Sequence, residues 1–361
     1  EEKKIGSLQR GLKGESVETR AKFISEGLSR FSTEEERMNY KYDKDFLEKL
    51  LKTASPSGFE RMAAEIWRNK AINTGAEAVY QDIHGNSTAK INGKSEKPII
   101  MLAGHIDEIG LMVSYVDPDG FVYFRPIGGW DAQILPGQRA RIYGKNGAFV
   151  TKGVIGRTPI HRLGDAKDKV VEINDLWIDT GFGKETGKII SVGDYAVIDC
   201  EPEFNGDILI SRGLDDKIGA FIALEVLKFL KLLKKKSMKD FNGAVCAVAT
   251  VQEEIGLRGA KTSAYDLNPD IGIAIDVTHA TDYPTADKKN NGDVKLGAGP
   301  VIAVGPNINM KIYDLLVKTA KEHKIPYQIE AAPGGTGTDA NAIQLTRSGV
   351  ATGLVSIPCR Y

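Results

Sequence analysis

Residues 98–107 read PIIMLAGHID, an apolar run that ends in His105 and Asp107. A short, continuous apolar run of this kind predicts a strand that is buried on both faces. His105 then stands at the carboxyl end of the strand, which is where open α/β sheets place their ligands. This stretch therefore predicts both the class of fold and the edge of the sheet at which a functional site lies.

Helices and strands alternate through most of the remaining chain. Apolar residues at helical spacing predict helices over residues 43–54, about 60–72, 216–233, 256–267, 310–323 and 338–349. Short apolar runs predict strands over residues 77–82, 87–91, 98–104, 243–251, 271–277, 326–332 and 350–358. This alternation predicts an α/β fold with a mainly parallel sheet flanked by helices.

The segment from residue 110 to residue 204 departs from this pattern. It consists of β-rich stretches separated by Gly, Pro and Asp turns, with no convincing long helix. We therefore expect a small β-barrel or PDZ-like domain, residues 110–204, inserted into a main domain formed by residues 43–109 and 205–361. Residues 1–42 are highly charged, and we expect a helical or partly disordered extension there. A role in oligomer pairing is the alternative for that extension.

The composition excludes several classes of function. The 361 residues contain 48 basic and 48 acidic side chains, so no net charge favours nucleic acid or an anionic membrane as a partner. No apolar run reaches the roughly 18 residues of a membrane span. Three cysteines that are far apart in sequence predict no disulfide framework, and we expect a reducing cytoplasm. With five histidines, any metal site has to rely on carboxylates.

Four short stretches carry unusual polar residues next to apolar strands. They are GHID at residues 104–107, RGLDDKIG at 212–219, VQEEIG at 251–256 and IDV at 275–277. Taken singly, a histidine at a strand end and an acidic helix start are ordinary structural features. Glu253 and Glu254 are different, because two carboxylates at the end of a buried strand lose hydration unless a cation or hydrogen bonds compensate.

Together these stretches predict an oxygen-rich metal site. One histidine and several carboxylates follow strands of the same sheet, so we expect their side chains at one edge. Zinc, cobalt or manganese suits such a mixture of nitrogen and oxygen ligands. A pair of metal ions about 3.5–4 Å apart can be bridged by a carboxylate during hydrolysis, and a glutamate that is not a ligand then acts as general base.

The sequence resembles the tetrahedral aminopeptidases, a family of dinuclear metallopeptidases that includes the glutamyl aminopeptidases. The resemblance covers roughly residues 43–361 and rests on motifs that occur in the family's order: GHIDEIG, RGLDDKIG, VQEEIGLRGA, AIDVTHATDYP and GGTGTDANAIQ. It implies a metallopeptidase-type catalytic domain interrupted by a β-rich dimerisation domain. It also implies peptide substrates cleaved at the amino terminus, two divalent ions, usually zinc or cobalt, and dimers that build a tetrahedral dodecamer.

The resemblance implies a role for each residue that matches a motif. His105 resembles a terminal ligand of one metal ion, and Asp107 resembles the acid that orients the site. Asp215 resembles the bridging ligand, and the peptide bond that joins it to Asp216 is often cis in related enzymes.

The later motifs supply the remaining roles. Glu253 resembles the catalytic base, Glu254 a ligand of one metal ion, and Asp276 a ligand of the other. Asp339, in GGTGTDANAIQ, is expected to lie just behind these ligands.

The resemblance further implies a second histidine ligand, which relatives supply shortly after the segment that matches residues 357–361. We expect the chain to continue past Tyr361 and to supply this ligand; the alternative is a naturally damaged site. The remaining histidines are expected to be structural: His84, His161, His279 and His323.

Three functions follow as hypotheses. The first is a dinuclear metalloaminopeptidase with Glu253 as general base. The second is an endoglucanase-type glycosidase, a label that some relatives carry, in which two carboxylates flank a sugar without a metal. The third is a catalytically impaired assembly subunit or peptide binder that lacks one metal ligand.

Overall fold

The alternating strands and helices form an α/β fold. A computed structural model of the protein describes residues 40–164, 168–234 and 242–361, so the predicted extension lies outside the described residues except for its last three positions. The strands are β1 (Ala78–Gln81), β2 (Ser87–Asn92), β3 (Ile99–His105), β4 (Gly110–Val116), β5 (Phe121–Ile127), β6 (Arg139–Tyr143), β7 (Phe149–Gly156), β8 (Trp177–Asp179), β9 (Tyr195–Ile198), β10 (Glu203–Asn205), β11 (Ile208–Ile210), β12 (Ala244–Thr250), β13 (Ile271–His279), β14 (Val301–Val304), β15 (Gln328–Ala331) and β16 (Ala351–Cys359). The α-helices are α1 (Lys44–Lys52), α2 (Arg61–Asn73), α3 (Thr186–Ile189), α4 (Leu214–Lys234), α5 (Arg258–Leu267), α6 (Lys288–Asn291), α7 (Met310–Glu322) and α8 (Asp339–Ile343).

Eight strands form one mixed sheet in the order β1-β2-β12-β3-β13-β16-β14-β15. The four central strands, from β12 to β16, run parallel to one another. Strand β2 pairs antiparallel with β12 at one side, and β14 pairs antiparallel with β16 at the other. The carboxyl ends of β12, β3 and β13 therefore meet at one edge, as the mainly parallel sheet predicted from the sequence requires.

Helices cover both faces of the central strands. In β3, Ile100 and Leu102 pack with residues of α1, α2 and α4, whereas Met101 and Ala103 pack with residues of α5 and α8. Alternate side chains of a strand point to opposite faces, so burial of both faces explains why the run at residues 99–103 is apolar at every position.

Strands β4 to β9 form a separate closed barrel in the order β4-β5-β8-β7-β6-β9. Its core consists of inward-facing apolar side chains such as Leu111, Ile142 and Ile178. The barrel is inserted between β3 and the later strands of the main sheet, as the sequence predicts. The domain boundaries at residues 109 and 204 stay predictions.

Two predicted elements are shorter in the structure. Residues 169–179 are one of the β-rich stretches expected between residues 110 and 204, but only Trp177–Asp179 is a strand, because Asp175 accepts a hydrogen bond from the backbone N–H of Glu172 and closes a helical turn. The helix predicted over residues 338–349 ends at Ile343. Beyond it, Arg347 and Gly349 have positive φ angles of 55° and 100°, which a right-handed helix cannot contain.

Across the three described ranges, we find no helix whose length and apolar character would let it cross a bilayer. The cysteines Cys200, Cys246 and Cys359 are free thiols. The cytoplasmic location expected from the sequence stays a prediction.

Candidate active site

His105 ends β3 and is almost fully buried. Its Nδ1 lies 3.1 Å from the backbone oxygen of Asp107. Its Nε2 lies 3.0 Å from Oδ1 of Asp215 and 3.7 Å from Oε2 of Glu253. When Nδ1 carries the proton and donates it to the Asp107 carbonyl, Nε2 presents a lone pair towards these carboxylates, which is the arrangement of a histidine ligand.

Helix α4 packs directly against the end of β3 at Gly219 and Ala220, and Gly104 permits this close approach. A Cβ at Gly104 would lie 2.3 Å from the backbone nitrogen of Ala220. Because the two elements are so close, the buried carboxylate of Asp216 accepts a hydrogen bond from the backbone N–H of His105 at 3.0 Å. The peptide bond between Asp215 and Asp216 is cis, as the resemblance implies.

Asp107 fixes the loop that follows β12. Its buried carboxylate accepts hydrogen bonds from the backbone N–H groups of Glu253 at 3.1 Å and Glu254 at 3.2 Å. The hydroxyl of Ser57 donates a third hydrogen bond to it at 2.6 Å. The same carboxylate also lies 3.6 Å from Nδ1 of His105. Asp107 therefore connects the end of β3 with the loop that presents the two glutamates.

Asp276 lies in β13, the strand next to β3, and completes the group. His105, Asp216 and Asp276 each offer a ligand atom, and these atoms all lie within 4.8 Å of one another. His105, Asp215 and Glu254 form a second group by the same measure. Two overlapping sets of donor atoms are therefore gathered at the carboxyl ends of the central strands.

Burial and the crowding of acids raise the pKa values of the site carboxylates. Burial, together with Asp339 and Asp276, raises the pKa of Glu253 to about 9. Burial and the nearby acids likewise raise the pKa of Glu254 to about 8 and that of Asp276 to about 7. Divalent cations among these groups would favour the ionised forms and reverse the shifts.

Two buried oxygen atoms indicate whether the site can bind cations. Among the described residues, Oε1 of Glu253 and Oδ1 of Asp339 are buried without a hydrogen-bond partner. The other carboxylate oxygen of Asp339 accepts a hydrogen bond from the hydroxyl of Thr250 at 2.5 Å. Buried acceptors that lack a partner cost free energy unless a ligand satisfies them. One imidazole and several carboxylates suit divalent ions that take mixed nitrogen and oxygen ligands, so the residues fit the implied metals.

Two nearby cations, Arg212 and Lys217, are bound to Glu108 instead of to these carboxylates. Oε1 of Glu108 lies 2.5 Å from Nη1 of Arg212 and 2.7 Å from Nζ of Lys217. Burial alone would raise the pKa of Glu108, but the two cations lower it to about 2. Burial lowers the pKa of Lys217 to about 8. This buried ion cluster supports the turn that carries Asp215. Because Arg212 and Lys217 are bound to Glu108, neither of them forms an ion pair with a carboxylate of the site.

The structure brings the predicted site residues together, although the role of each one stays a prediction. They are His105, Asp107, Asp215, Glu253, Glu254 and Asp276. Three further residues near the site were not predicted from the sequence: Ser57, Glu60 and Glu108. Ser57 and Glu60 lie in the SPSGFE segment, which by itself indicates only a turn.

The other histidines lie elsewhere. His84 is in a turn whose backbone N–H groups are bound by Asp82, and His161 is exposed in the barrel domain. His279 is exposed at the end of β13, and His323 follows α7. Of the histidines in the described ranges, only His105 belongs to a group of residues that could hold a metal ion.

Comparison with known families agrees with this geometry. A family model described as M42 glutamyl aminopeptidase matches residues 85–361. The chain belongs to the M42 family. The resemblance inferred from the sequence motifs is therefore confirmed.

Relatives of this M42 chain include proteins with solved structures. It is 34% identical over 330 residues to a lysyl aminopeptidase of Pyrococcus furiosus, covering 88% of this chain and 90% of the relative. A TET aminopeptidase from a marine sediment thaumarchaeote has a TM-score of 0.81 and 31% identity, with 88% of each chain covered. The TET1 peptidase of Pyrococcus horikoshii, which can assemble into a tetrahedron or a large octahedral shell, has a TM-score of 0.74 and 30% identity over 88% of this chain and 91% of its own.

Membership of the M42 family establishes the general class of the protein. It is a peptide hydrolase of an aminopeptidase family, and its fold is that of the TET aminopeptidases.

Proposed function

We propose that the protein is a dinuclear metal-dependent aminopeptidase that removes residues from the amino terminus of peptides. The observation that carries the proposal is the largely buried group of His105 and carboxylates at or near the carboxyl ends of β3, β12 and β13, within which Oε1 of Glu253 has no partner among the described residues. Such a group of acids stays ionised at neutral pH only with added positive charge.

In this proposal His105, Asp215, Glu254 and Asp276 would hold two divalent ions, with Asp215 in the bridging role that the family resemblance implies. Zinc or cobalt is preferred, and manganese is compatible with the oxygen-rich donors. When bound, the ions supply Lewis-acid polarisation of the scissile carbonyl and a water of lowered pKa.

Glu253 is the general base. Its carboxylate accepts the proton of the attacking water and returns it to the leaving amine, so it acts first as base and then as acid. Asp107 supports this step because its carboxylate holds the backbone of Glu253 in place. The same carboxylate lies beside the imidazole of His105. The side chain of Asp215 is 55% exposed, so the site is open to solvent at this residue, and its acidic groups can attract the free amino group of a peptide.

A chelation experiment on an aminoacyl-anilide panel tests the proposal. We expect hydrolysis of at least one substrate, loss of activity after treatment with a strong chelator, and recovery on addition of zinc or cobalt. Elemental analysis should find two metal ions per chain. The matched control is the same substrate with an acetylated amino group, which should not be cleaved.

The alternatives give different results. Cleavage of a β-glucan that survives chelation would contradict the proposal in favour of the glycosidase. One metal ion or none per chain, with peptide binding but no turnover, would support an impaired assembly subunit or peptide binder instead.

We further propose that the barrel domain forms dimers that assemble into a tetrahedral dodecamer. The described surface of this domain exposes large apolar side chains, among them Tyr115, Phe149 and Phe182, and exposed apolar surface favours association. Light scattering of the purified protein should give the mass of a dodecamer. A monomer at micromolar concentration would contradict the assembly without affecting the proposed reaction.

A further inference from the structure

The loop that carries Glu253 and Glu254 begins at a residue with unusual backbone geometry. Gln252 has a φ of 56°, in the left-handed region that residues other than glycine rarely adopt. A residue in this conformation costs free energy and persists only where its surroundings hold it. The direction of the two glutamates therefore depends on contacts made to this loop from elsewhere in the molecule.

Two carboxylates make several of these contacts, beside a hydrogen bond from the backbone N–H of Arg258 to the backbone oxygen of Gln252 at 3.2 Å. The backbone N–H of Gln252 donates to Oε1 of Glu60 at 3.2 Å. The next two N–H groups, of Glu253 and Glu254, donate to the two carboxylate oxygens of Asp107. Three consecutive N–H groups thus converge on acids, as they do in the backbone nests that bind anions. Here the anions are side chains of the protein itself.

Of these two acids, Glu60 has no evident role in its own helix, and it is not one of the proposed metal ligands. It directly precedes α2, yet its side chain makes no capping hydrogen bond to that helix. The residue is 7% exposed, and its carboxylate accepts a hydrogen bond from the backbone N–H of Gly58 at 2.8 Å. From there it reaches Gln252, which is 192 positions away in the chain.

The segment that contains Glu60 also contacts the other side of the site. We refer to residues 55–60 as the brace. The hydroxyl of Ser55 donates to the backbone oxygen of Ile106 at 2.8 Å, and the hydroxyl of Ser57 donates to Asp107 at 2.6 Å. The brace therefore joins the residues after β3 to the loop after β12, with Glu60 as its contact to the loop.

We propose that Glu60 is a positioning residue for the general base. It helps to hold Gln252 in the left-handed conformation and thereby contributes to the direction in which Glu253 projects. This inference rests on the proposed function, because the direction of Glu253 affects turnover only if Glu253 moves a proton. A misplacement of about 1 Å at a reacting group can cost roughly 100-fold in rate, so Glu60 should affect kcat more than KM.

Two substitutions at Glu60 distinguish the loss of its hydrogen bond to Gln252 from the loss of its negative charge. Glu60→Leu removes both acceptor oxygens and should lower kcat by roughly 10- to 100-fold. Glu60→Gln retains an amide oxygen that can accept the N–H of Gln252, and its kcat should stay within about threefold of the wild type. In both variants we expect KM and the metal content to match those of the wild type. Glu65→Leu, an exposed acid on the same helix, is the matched control and should change nothing.

Hydrogen exchange of the backbone amides of residues 252–254 gives a second readout that needs no turnover. In Glu60→Leu these amides should exchange roughly tenfold faster than in the wild type, whereas Glu60→Gln should retain most of the protection. If Glu60→Leu folds poorly, Ser57→Ala tests the brace by removing its hydrogen bond to Asp107. Its amides at positions 253 and 254 should then exchange faster.

The outcomes distinguish this inference from the proposed function. A wild-type protein that cleaves no aminoacyl-anilide would contradict the proposed function, whatever the exchange data show. An active wild type whose Glu60→Leu variant keeps both its kcat and its amide protection would overturn the role of Glu60. Equal loss of turnover in Glu60→Leu and Glu60→Gln would also overturn it, because the effect would then follow the charge and not the hydrogen bond.

Discussion

Replacing Glu253 with glutamine should lower kcat by roughly 100- to 10,000-fold while the metal content and KM stay close to those of the wild type. The amide has the shape of the carboxylate but cannot accept a proton from water and return it to the leaving amine. The backbone N–H of residue 253 would still be bound by Asp107, so the loop should keep its place. Single-turnover kinetics and elemental analysis of the same preparation measure both quantities.

A parallel substitution at the next residue provides the control for the Glu253 variant. Glu254→Gln changes a proposed metal ligand, so its loss of activity should accompany a loss of bound metal, and added zinc or cobalt should recover part of it. A Glu253→Gln protein with wild-type kcat would show that another group moves the proton. A Glu253→Gln protein that has lost its metal would make Glu253 a ligand and would reassign the base.

The sheet was predictable from sequence wherever burial forces a continuous apolar run. Strand β12 is buried at every position, and its sequence, AVCAVAT, contains no charged residue. Strand β14 was missed because a run as short as VIAV has too few positions to show a period. The early end of α8 was missed because Arg347, unlike glycine, gives no signal of a left-handed conformation.

The site could be predicted from the sequence only where a polar residue directly follows a buried apolar run. A carboxylate next to a buried apolar run is already unusual in the sequence, which is why Glu253 and Asp276 could be identified. Lys217 gave no such signal, because a lysine after two acids is typical of an exposed first helical turn. In the structure it is 0% exposed and bound to Glu108, which is 109 positions away. That contact depends on tertiary packing, which the local sequence around Lys217 does not indicate.

Replacing Glu108 with glutamine should lower the free energy of unfolding by about 3–5 kcal/mol, the cost of removing one partner from a buried ion pair. The substitution leaves Arg212 and Lys217 buried without an anionic partner. Lys217 would retain its hydrogen bond to the backbone oxygen of Thr53, which cannot balance its charge. Urea unfolding at pH 7 in saturating metal measures the difference from the wild type.

The control for the Glu108 variant is Glu185→Gln, which disrupts another glutamate–lysine pair. Oε2 of Glu185 lies 2.6 Å from Nζ of Lys188, but the two side chains are 64% and 71% exposed. Exposed pairs contribute about 0–1 kcal/mol, so this variant should unfold close to the wild type. Equal unfolding midpoints for the two variants would contradict the argument from burial.

The pH dependence gives an independent check on the Glu108 cluster. Folding lowers the pKa of Glu108 to about 2, so its stabilising contribution is fully present above the unfolded pKa of about 4.3. The contribution is lost as the pH falls from that value towards 2, because the carboxylate then becomes protonated in the folded protein as well. The difference in stability between the wild type and Glu108→Gln should therefore be largest near neutral pH and shrink below pH 4. A difference that stays constant across this range would show that the substitution acts through packing and not through the charge of Glu108.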